Sequence, residues 1–297
     1  MTAPGLPRRR FLALAALAAA LPGTAARAAS DRHVWRGLAL GADVQLTVAG
    51  GESRTARAFF AEAERALRSI ERQFSLYTGS ELTRLNAIGR LSQPSAGMVA
   101  LLELAGRVHD ATGGAFDPTV QPLWDARRRG GDETAARALV GWGGVQITPQ
   151  EIRLSRPGMA LTLNGIAQGA AADRLAEVAR SHGLREVLID AGEIRALGAR
   201  DWQARIEAPG GQSVRELALR ERALATSAAL GTRIGPAQRP HILGPGGEAP
   251  QWALVSISAD SAALADALST AAVLLDRPAI DRALARFPGA RLEALAG

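Results

Sequence analysis

Residues 262–275 read AALADALSTAAVLL and hold one charge, Asp266. A helix that is apolar all round is a buried helix. The chain must therefore fold in layers that surround this segment. A lone carboxylate inside such a helix is costly unless something answers it. Thr270 lies one turn further on and shares its face. Two oxygen ligands on one rigid face suit a hard cation such as Mg²⁺, which fills its other positions with phosphate and water. The same pair also suits an Asp at a helix edge meeting an arginine, with Thr270 bonded back to its own helix.

The rest of the pattern is mixed. Val44, Leu46 and Val48 alternate with polar residues and predict a strand. Ser53 can cap a helix reaching about Phe74, with apolar residues at helical spacing. Ser80 can cap a short turn through Asn86. A second helix is expected over about Ser95–Thr112, ended by Gly113-Gly114. Residues 125–160 carry weak signals, one short helix and a hairpin. Leu161–Leu163 reads as a strand, followed by a helix from about Ala167 to His182 and a strand at Glu186–Ile189, a strand–helix–strand unit. Short strands are expected at 194–197, 203–207, 215–219, 223–226 and 252–258, then helices over 261–275 and 278–287. Strands and helices do not alternate strictly, so the expected class is layered α/β or α+β rather than a barrel.

Composition removes many chemistries. The 297 residues contain no cysteine and no lysine, so all 35 basic residues are arginine. Thiolate attack, Cys-based metal sites, disulfides, Schiff bases and a Walker lysine are all excluded. Four histidines remain, His33, His109, His182 and His241, none in an HExxH spacing. Residues 1–28 read as a twin-arginine export signal: Arg8-Arg9-x-Phe11-Leu12, an apolar run to Leu21, and Ala26-Arg27-Ala28 as the cleavage site. That run is too short to span a bilayer, so no transmembrane span is expected in the mature chain. Without these residues the formal charge falls from +6 to +2, which argues against nucleic acid as a partner.

Four further segments could carry chemistry. LTLNGIAQGAAA (161–172) is uncharged and crosses into a helix at Asn164-Gly165. Its bare backbone at Gly165 and Gly169 could meet an anion, or serve close packing. Gly113-Gly114-Ala115-Phe116-Asp117-Pro118-Thr119 places Asp117 in an extended turn before proline, as a turn residue or a ligand contact. Tyr77, the only tyrosine, could stack on a planar ligand or sit in the core. Pro240-His241-Ile242-Leu243-Gly244-Pro245 holds His241 in a loop, as a proton carrier or a solvated side chain. No G-x-S-x-G elbow accompanies it.

In order along the chain, FSLYTGSELTRLN, TGGAFDPTVQPL, LNGIAQGAAAD, LIDAGEIRALG, ALATSA, HILGP and ADALSTA resemble the FAD:protein FMN transferase family (ApbE-type proteins). The resemblance covers nearly all of residues 35–280. It implies a two-subdomain α/β (α+β) fold over residues 29–297, with FAD in the cleft. It places Leu40 against the flavin and Tyr77 near the ring system. Ala115, Phe116 and Asp117 would line the adenine or ribose side, Gln168 would meet the cofactor, and Leu243 would line the flavin or phosphate region. Thr162 stands in the same cofactor-binding element. Mg²⁺ would sit between the Gly165 carbonyl, Asp266 and Thr270, and His241 would be the catalytic base. The implied reaction passes FMN from FAD to a Ser or Thr of an acceptor flavoprotein in the periplasm and releases AMP. A non-catalytic FAD-binding protein and an FAD pyrophosphatase are the alternatives on the same fold. The sequence departs from the family pattern at Thr162 (usually Asp), Gly192-Glu193 (commonly Gly-Gly), Ala228 (usually Gly) and Gly244–Glu248 (usually D-P-x-T-G).

The leader makes a prediction by itself. Changing Arg8 and Arg9 together to Lys should leave the precursor in the cytoplasm, read as uncleaved protein on fractionation. Normal maturation of that double variant would rule out the folded-protein export route.

Overall fold

The computed structural model describes residues 32–297, and the predicted leader lies outside them. Strands β1 (Arg32–Ala39) and β2 (Ala42–Ala49) form a hairpin. Leu40 and Gly41 turn it, with φ of 51° and 79°, the pair of positive values that matches strand twist in a tight hairpin. The alternation read from Val44, Leu46 and Val48 is real, and all three are buried. Helix α1 (Ser53–Phe74) follows. Its N-cap is Glu52, without a side-chain bond, and Ser53 is already helical. Helix α2 (Glu81–Ile88) is a full helix rather than a turn, because Ser80 and Thr83 close a reciprocal capping box. After β3 (Arg90–Ser92), Ser95 caps α3 (Ala96–Ala111). The weakly patterned stretch forms α4 (Gln121–Arg129), α5 (Glu133–Arg137) and the hairpin β4 (Val145–Ile147) and β5 (Glu151–Leu154). Strands β3, β5 and β4 make a small sheet in that order.

Leu161–Leu163 is extended but is not a strand. The Asn86 side chain takes the two bonds a neighbouring strand would offer. Its Nδ2 donates to the Leu161 carbonyl at 2.8 Å, and its Oδ1 accepts from the Leu161 N–H at 2.7 Å. The Thr162 N–H donates to the Pro118 carbonyl at 2.8 Å. The predicted strand–helix–strand unit therefore lacks its first strand. Helix α6 (Ala167–Ser181) matches expectation and stops at Gly183, with φ 71°.

The remaining elements are β6 (Val187–Asp190), β7 (Ile194–Leu197), β8 (Trp202–Glu207), β9 (Ser213–Leu219), β10 (Ala223–Ala228), β11 (Arg233–Ile234), β12 (Arg239–Pro240), β13 (Leu254–Ala259), α7 (Ala262–Ala272), α8 (Arg277–Ala285) and β14 (Arg291–Ala296). The main sheet runs β1-β2-β6-β7-β10-β13-β14. All its pairings are antiparallel. The class is thus α+β, with helices α1, α6 and α7 gathered on the sheet. A second apolar cluster joins Leu188, Ile194 and Leu224 of the sheet to Trp202, Ile206 and Leu219 of the β8–β9 hairpin. Helix α3 packs on α7 and α8. The apolar helix α7 is accordingly enclosed by α6, α3, β10 and β13, as its composition requires.

The α6–α7 crossing is the tightest part of this layer. A Cβ on Gly169 would lie 2.3 Å from the Ala262 carbonyl oxygen. Asp173, one turn later on α6, caps α7 from outside. Its carboxylate accepts from the Ser261 hydroxyl at 2.7 Å and from the Ala262 and Ala263 N–H groups at 2.9 and 3.0 Å.

Gly169→Ala should therefore destabilise the protein by about 2 kcal/mol, within the usual range for overpacking. That amounts to a melting temperature lower by roughly 4–8 °C for a chain of this size. Gly79→Ala, where the added Cβ meets nothing within 4 Å, should leave the melt unchanged. Equal melts for the two variants would show that the helices can separate freely.

Candidate functional site

An open-mouthed cavity of about 1160 Å³, its solvent-filled mouth included, opens beside α7. Thr162, Gly165, Gln168, His241, Leu243, Asp266 and Thr270 all line it. These residues come from three separate stretches of chain: the extended segment entering α6, the loop after β12, and α7. Leu40, Tyr77, Ala115, Phe116 and Asp117 are not among its lining residues. Leu40 sits in the β1–β2 turn, its N–H donating to Glu71 at 3.1 Å. Tyr77 follows α1 and is 65% exposed. Phe116 and Asp117 are buried. Asp117 accepts from the Thr119 N–H at 2.8 Å and its hydroxyl at 2.6 Å, which opens the turn leading into α4. His109 Nδ1 donates to the Phe116 carbonyl at 2.9 Å and holds this segment down. The Thr162–Pro118 bond joins that turn to the cavity wall.

The α7 wall resolves the alternatives left open by its sequence. Asp266 is 4% exposed and has no arginine partner among the described residues. Its Oδ2 accepts from the Gly169 N–H at 3.1 Å. Burial pushes its carboxyl up to about 7, against the pull of that N–H, with the Asp173 charge adding to the rise. Thr270 does not bond back to its own helix; its hydroxyl lies 3.4 Å from the Ser227 hydroxyl. A Cβ on Gly165 would come within 2.9 Å of Thr270 Oγ1, so only a glycine backbone fits against that hydroxyl. An all-oxygen donor set beside a buried, uncompensated carboxylate fits a hard cation. Among the described residues no three His, Asp or Glu side chains form a metal cage. A cation here would draw its other ligands from water and substrate.

Glu193 is the residue that sequence reasoning undervalued, naming it only as a departure from Gly-Gly. It lies in the β6–β7 turn, is 6% exposed and lines the cavity. Its Oε2 accepts from the Thr226 N–H of β10 at 3.2 Å. Burial pushes its carboxyl well above the usual range, and the nearby Asp266 charge pushes the same way. An acid between the buried runs 187–189 and 194–197 was the available signal. Gly192 before it has φ 93°, and a Cβ there would meet the Gln168 side chain at 2.8 Å. Glycine is thus needed at that position both for its conformation and for its closeness to Gln168.

At the other side stands His241. Its Nδ1 donates to the Thr232 carbonyl at 3.1 Å, and its own N–H bonds the same oxygen at 3.1 Å. A ring that donates from Nδ1 is, when neutral, the tautomer with its lone pair on Nε2. Trp124 Nε1 on α4 donates to the His241 carbonyl at 3.1 Å, a bond across 117 positions that no local pattern announces. The departing loop Gly244–Glu248 is closed on itself. Glu248 accepts the Gly246 N–H at 2.9 Å, and the Gly247 N–H donates to the Gly244 carbonyl at 2.9 Å.

Known proteins share this sequence pattern and fold. The model of the ApbE family matches residues 40–295. A protein of Treponema pallidum (strain Nichols) named FAD:protein FMN transferase is 29% identical over 248 residues, 67% of this chain and 68% of that protein. One of the same name from Rhodobacter capsulatus is 28% identical over 233 residues, and the match spans 69% of this chain but 44% of that longer relative. The crystal structure of the ApbE protein from Thermotoga maritima superposes with a TM-score of 0.78 at 25% identity, over 88% of this chain and 93% of that one. With the family model spanning residues 40–295, most of its length, the chain belongs to the ApbE family.

Proposed function

We propose that this protein is an FAD:protein FMN transferase, which binds FAD in the cavity beside α7 and joins its FMN half to a Ser or Thr hydroxyl of an acceptor flavoprotein. The observation that carries the reading is the meeting, in one cavity, of Asp266, Thr270, Gly165 and Gln168 with His241. The first three offer oxygen ligands and the last a proton acceptor. Names borne by the Treponema and Rhodobacter relatives support the same reading.

Asp266, Thr270 and the Gly165 carbonyl would hold a magnesium ion. When bound, that ion would supply charge neutralisation at the pyrophosphate. The acceptor hydroxyl oxygen attacks the phosphorus of the FMN half. A new O–P bond forms, the P–O bond to AMP breaks, and AMP leaves with that electron pair. His241 Nε2 takes the hydroxyl proton, with the Thr232 carbonyl holding the ring in the required tautomer. Gln168, at the start of α6 and against Gly192, would orient the nucleotide. The twin-arginine leader supports a periplasmic protein exported already folded, and the described residues contain no helix long and apolar enough to cross a membrane.

Asp266→Asn should abolish magnesium-dependent turnover and weaken FAD binding. Turnover that keeps its full magnesium response in this variant would place the cation elsewhere. His241→Ala should slow transfer by roughly 10²–10⁴-fold, the usual share of a general base, with FAD affinity little changed. Both are read from in-gel fluorescence of a denatured acceptor domain after incubation with FAD and Mg²⁺. An acceptor left dark by the wild-type protein, with FAD bound and intact, would make this a binding protein. Free FMN and AMP without labelled acceptor would make it a pyrophosphatase.

A further inference from the structure

We propose that Glu193 is a second anionic ligand of the cation site, so that this protein takes up a divalent cation by itself, before any nucleotide is bound. The inference rests on the reading of this cavity as the cation site. It goes further in assigning a second carboxylate and an order of loading.

Glu193 and Asp266 line the same cavity, and both are more than nine-tenths buried. Each has one carboxylate oxygen engaged by a single backbone N–H, from Thr226 and Gly169 respectively. No side-chain donor reaches either carboxylate, and no arginine pairs with either among the described residues. Elsewhere this arginine-rich chain pairs Asp173 with Arg195 and Glu133 with Arg127 and Arg239, and the buried Asp117 is answered by the Thr119 N–H and hydroxyl. Glu193 and Asp266 share one cavity wall with neither an arginine nor a side-chain donor.

Contacts of β10 and α6 bring the two together. Thr226 bonds Glu193, and its neighbour Ser227 touches Ser269 at 2.9 Å and Thr270 at 3.4 Å, on the helix that bears Asp266. On the other side, Gly192 lies against Gln168, whose neighbour Gly169 bonds Asp266. Glu193 thus borders the Asp266–Thr270 face on the strand side, while Gly165 borders it on the α6 side.

The chemical consequence is one of charge. A Mg²⁺ site with one carboxylate remains net positive and relies on substrate phosphates to complete it. Two carboxylates neutralise a divalent ion without help. The bound ion in turn offsets the cost of burying two carboxylates that face no other cation. A protein so equipped would present a filled site to the pyrophosphate instead of receiving cation and nucleotide together.

The test uses the mature protein free of nucleotide, titrated with Mn²⁺ and followed by the EPR signal of the free ion. Wild-type protein should take up close to one Mn²⁺, and Mg²⁺ should displace it. Glu193→Gln should weaken uptake at least about tenfold, since losing even a group that only supports a metal ligand typically costs that much. Its amide oxygen can still accept the Thr226 N–H, so the β6–β7 turn should hold. Its melting temperature at pH 8 should equal or exceed that of wild type, because a buried charge is gone. Asp266→Asn should lose uptake altogether. Wild-type protein that takes up no Mn²⁺ without nucleotide overturns the proposal, and that arm depends on no variant folding. Uptake unchanged in Glu193→Gln but lost in Asp266→Asn also overturns it and leaves the cavity as the cation site. Uptake unchanged in both variants sinks the proposal together with the assignment of the cation to this cavity.

Discussion

The crossing of α6 and α7 is the contact on which the rest depends. Gly169 allows the α6 backbone to approach the first turn of α7 until no side chain fits between them. Asp173 then caps α7 with three hydrogen bonds, and the Gly169 N–H reaches Asp266. One pair of helices is thereby fixed along its length, and with it the positions of Gly165, Gln168, Asp266 and Thr270. Interiors pack too densely for such a junction to slide. The candidate site inherits its precision from that junction.

The sheet provides the opposite wall by a different route. Antiparallel neighbours β6, β7 and β10 place the β6–β7 turn beside the Ser227 end of β10. Glu193 and Ser227, about thirty positions apart, thus border one cavity. The loop after β12 is tied down by bonds that include those of His241 to Thr232, of Trp124 to the His241 carbonyl and of Arg127 to the Gly247 carbonyl. Rigid helix, turn and tethered loop give three kinds of support to one site.

Much of this was legible along the chain. Helix α3, helices α6 to α8 and most strands of the main sheet followed from hydrophobic spacing and from glycine stops. Such signals arise within a few residues of each other. The miss at Leu161–Leu163 has a definite cause. An extended apolar triplet is compatible with a strand, but its hydrogen-bond partner is a side chain, Asn86, 75 positions away. Strand β1 went unread because its apolar Val34 and Leu38 lie on the exposed face while His33 and Gly37 lie on the other, so its hydrophobic pattern does not mark the buried side; β14 likewise carried no reading. Thr270 shows the same limit at the site. Its spacing from Asp266 is a property of the helix, while its approach to Gly165 and Ser227 is a property of the fold.

Along the chain one can already read that a buried helix carries one carboxylate, that no cysteine or lysine chemistry is possible, and that seven segments follow the order of one family. These are local or compositional facts, and neither packing nor pairing can alter them. Folding alone settles that Asp266 meets no arginine, that Glu193 joins it in the same wall, and that Tyr77 and Asp117 stand outside the cavity. Each of those depends on which distant segments share a layer. The burial that raises both carboxyl groups is likewise created by neighbours from α6, β10 and the sheet, which come together only when the chain closes around α7.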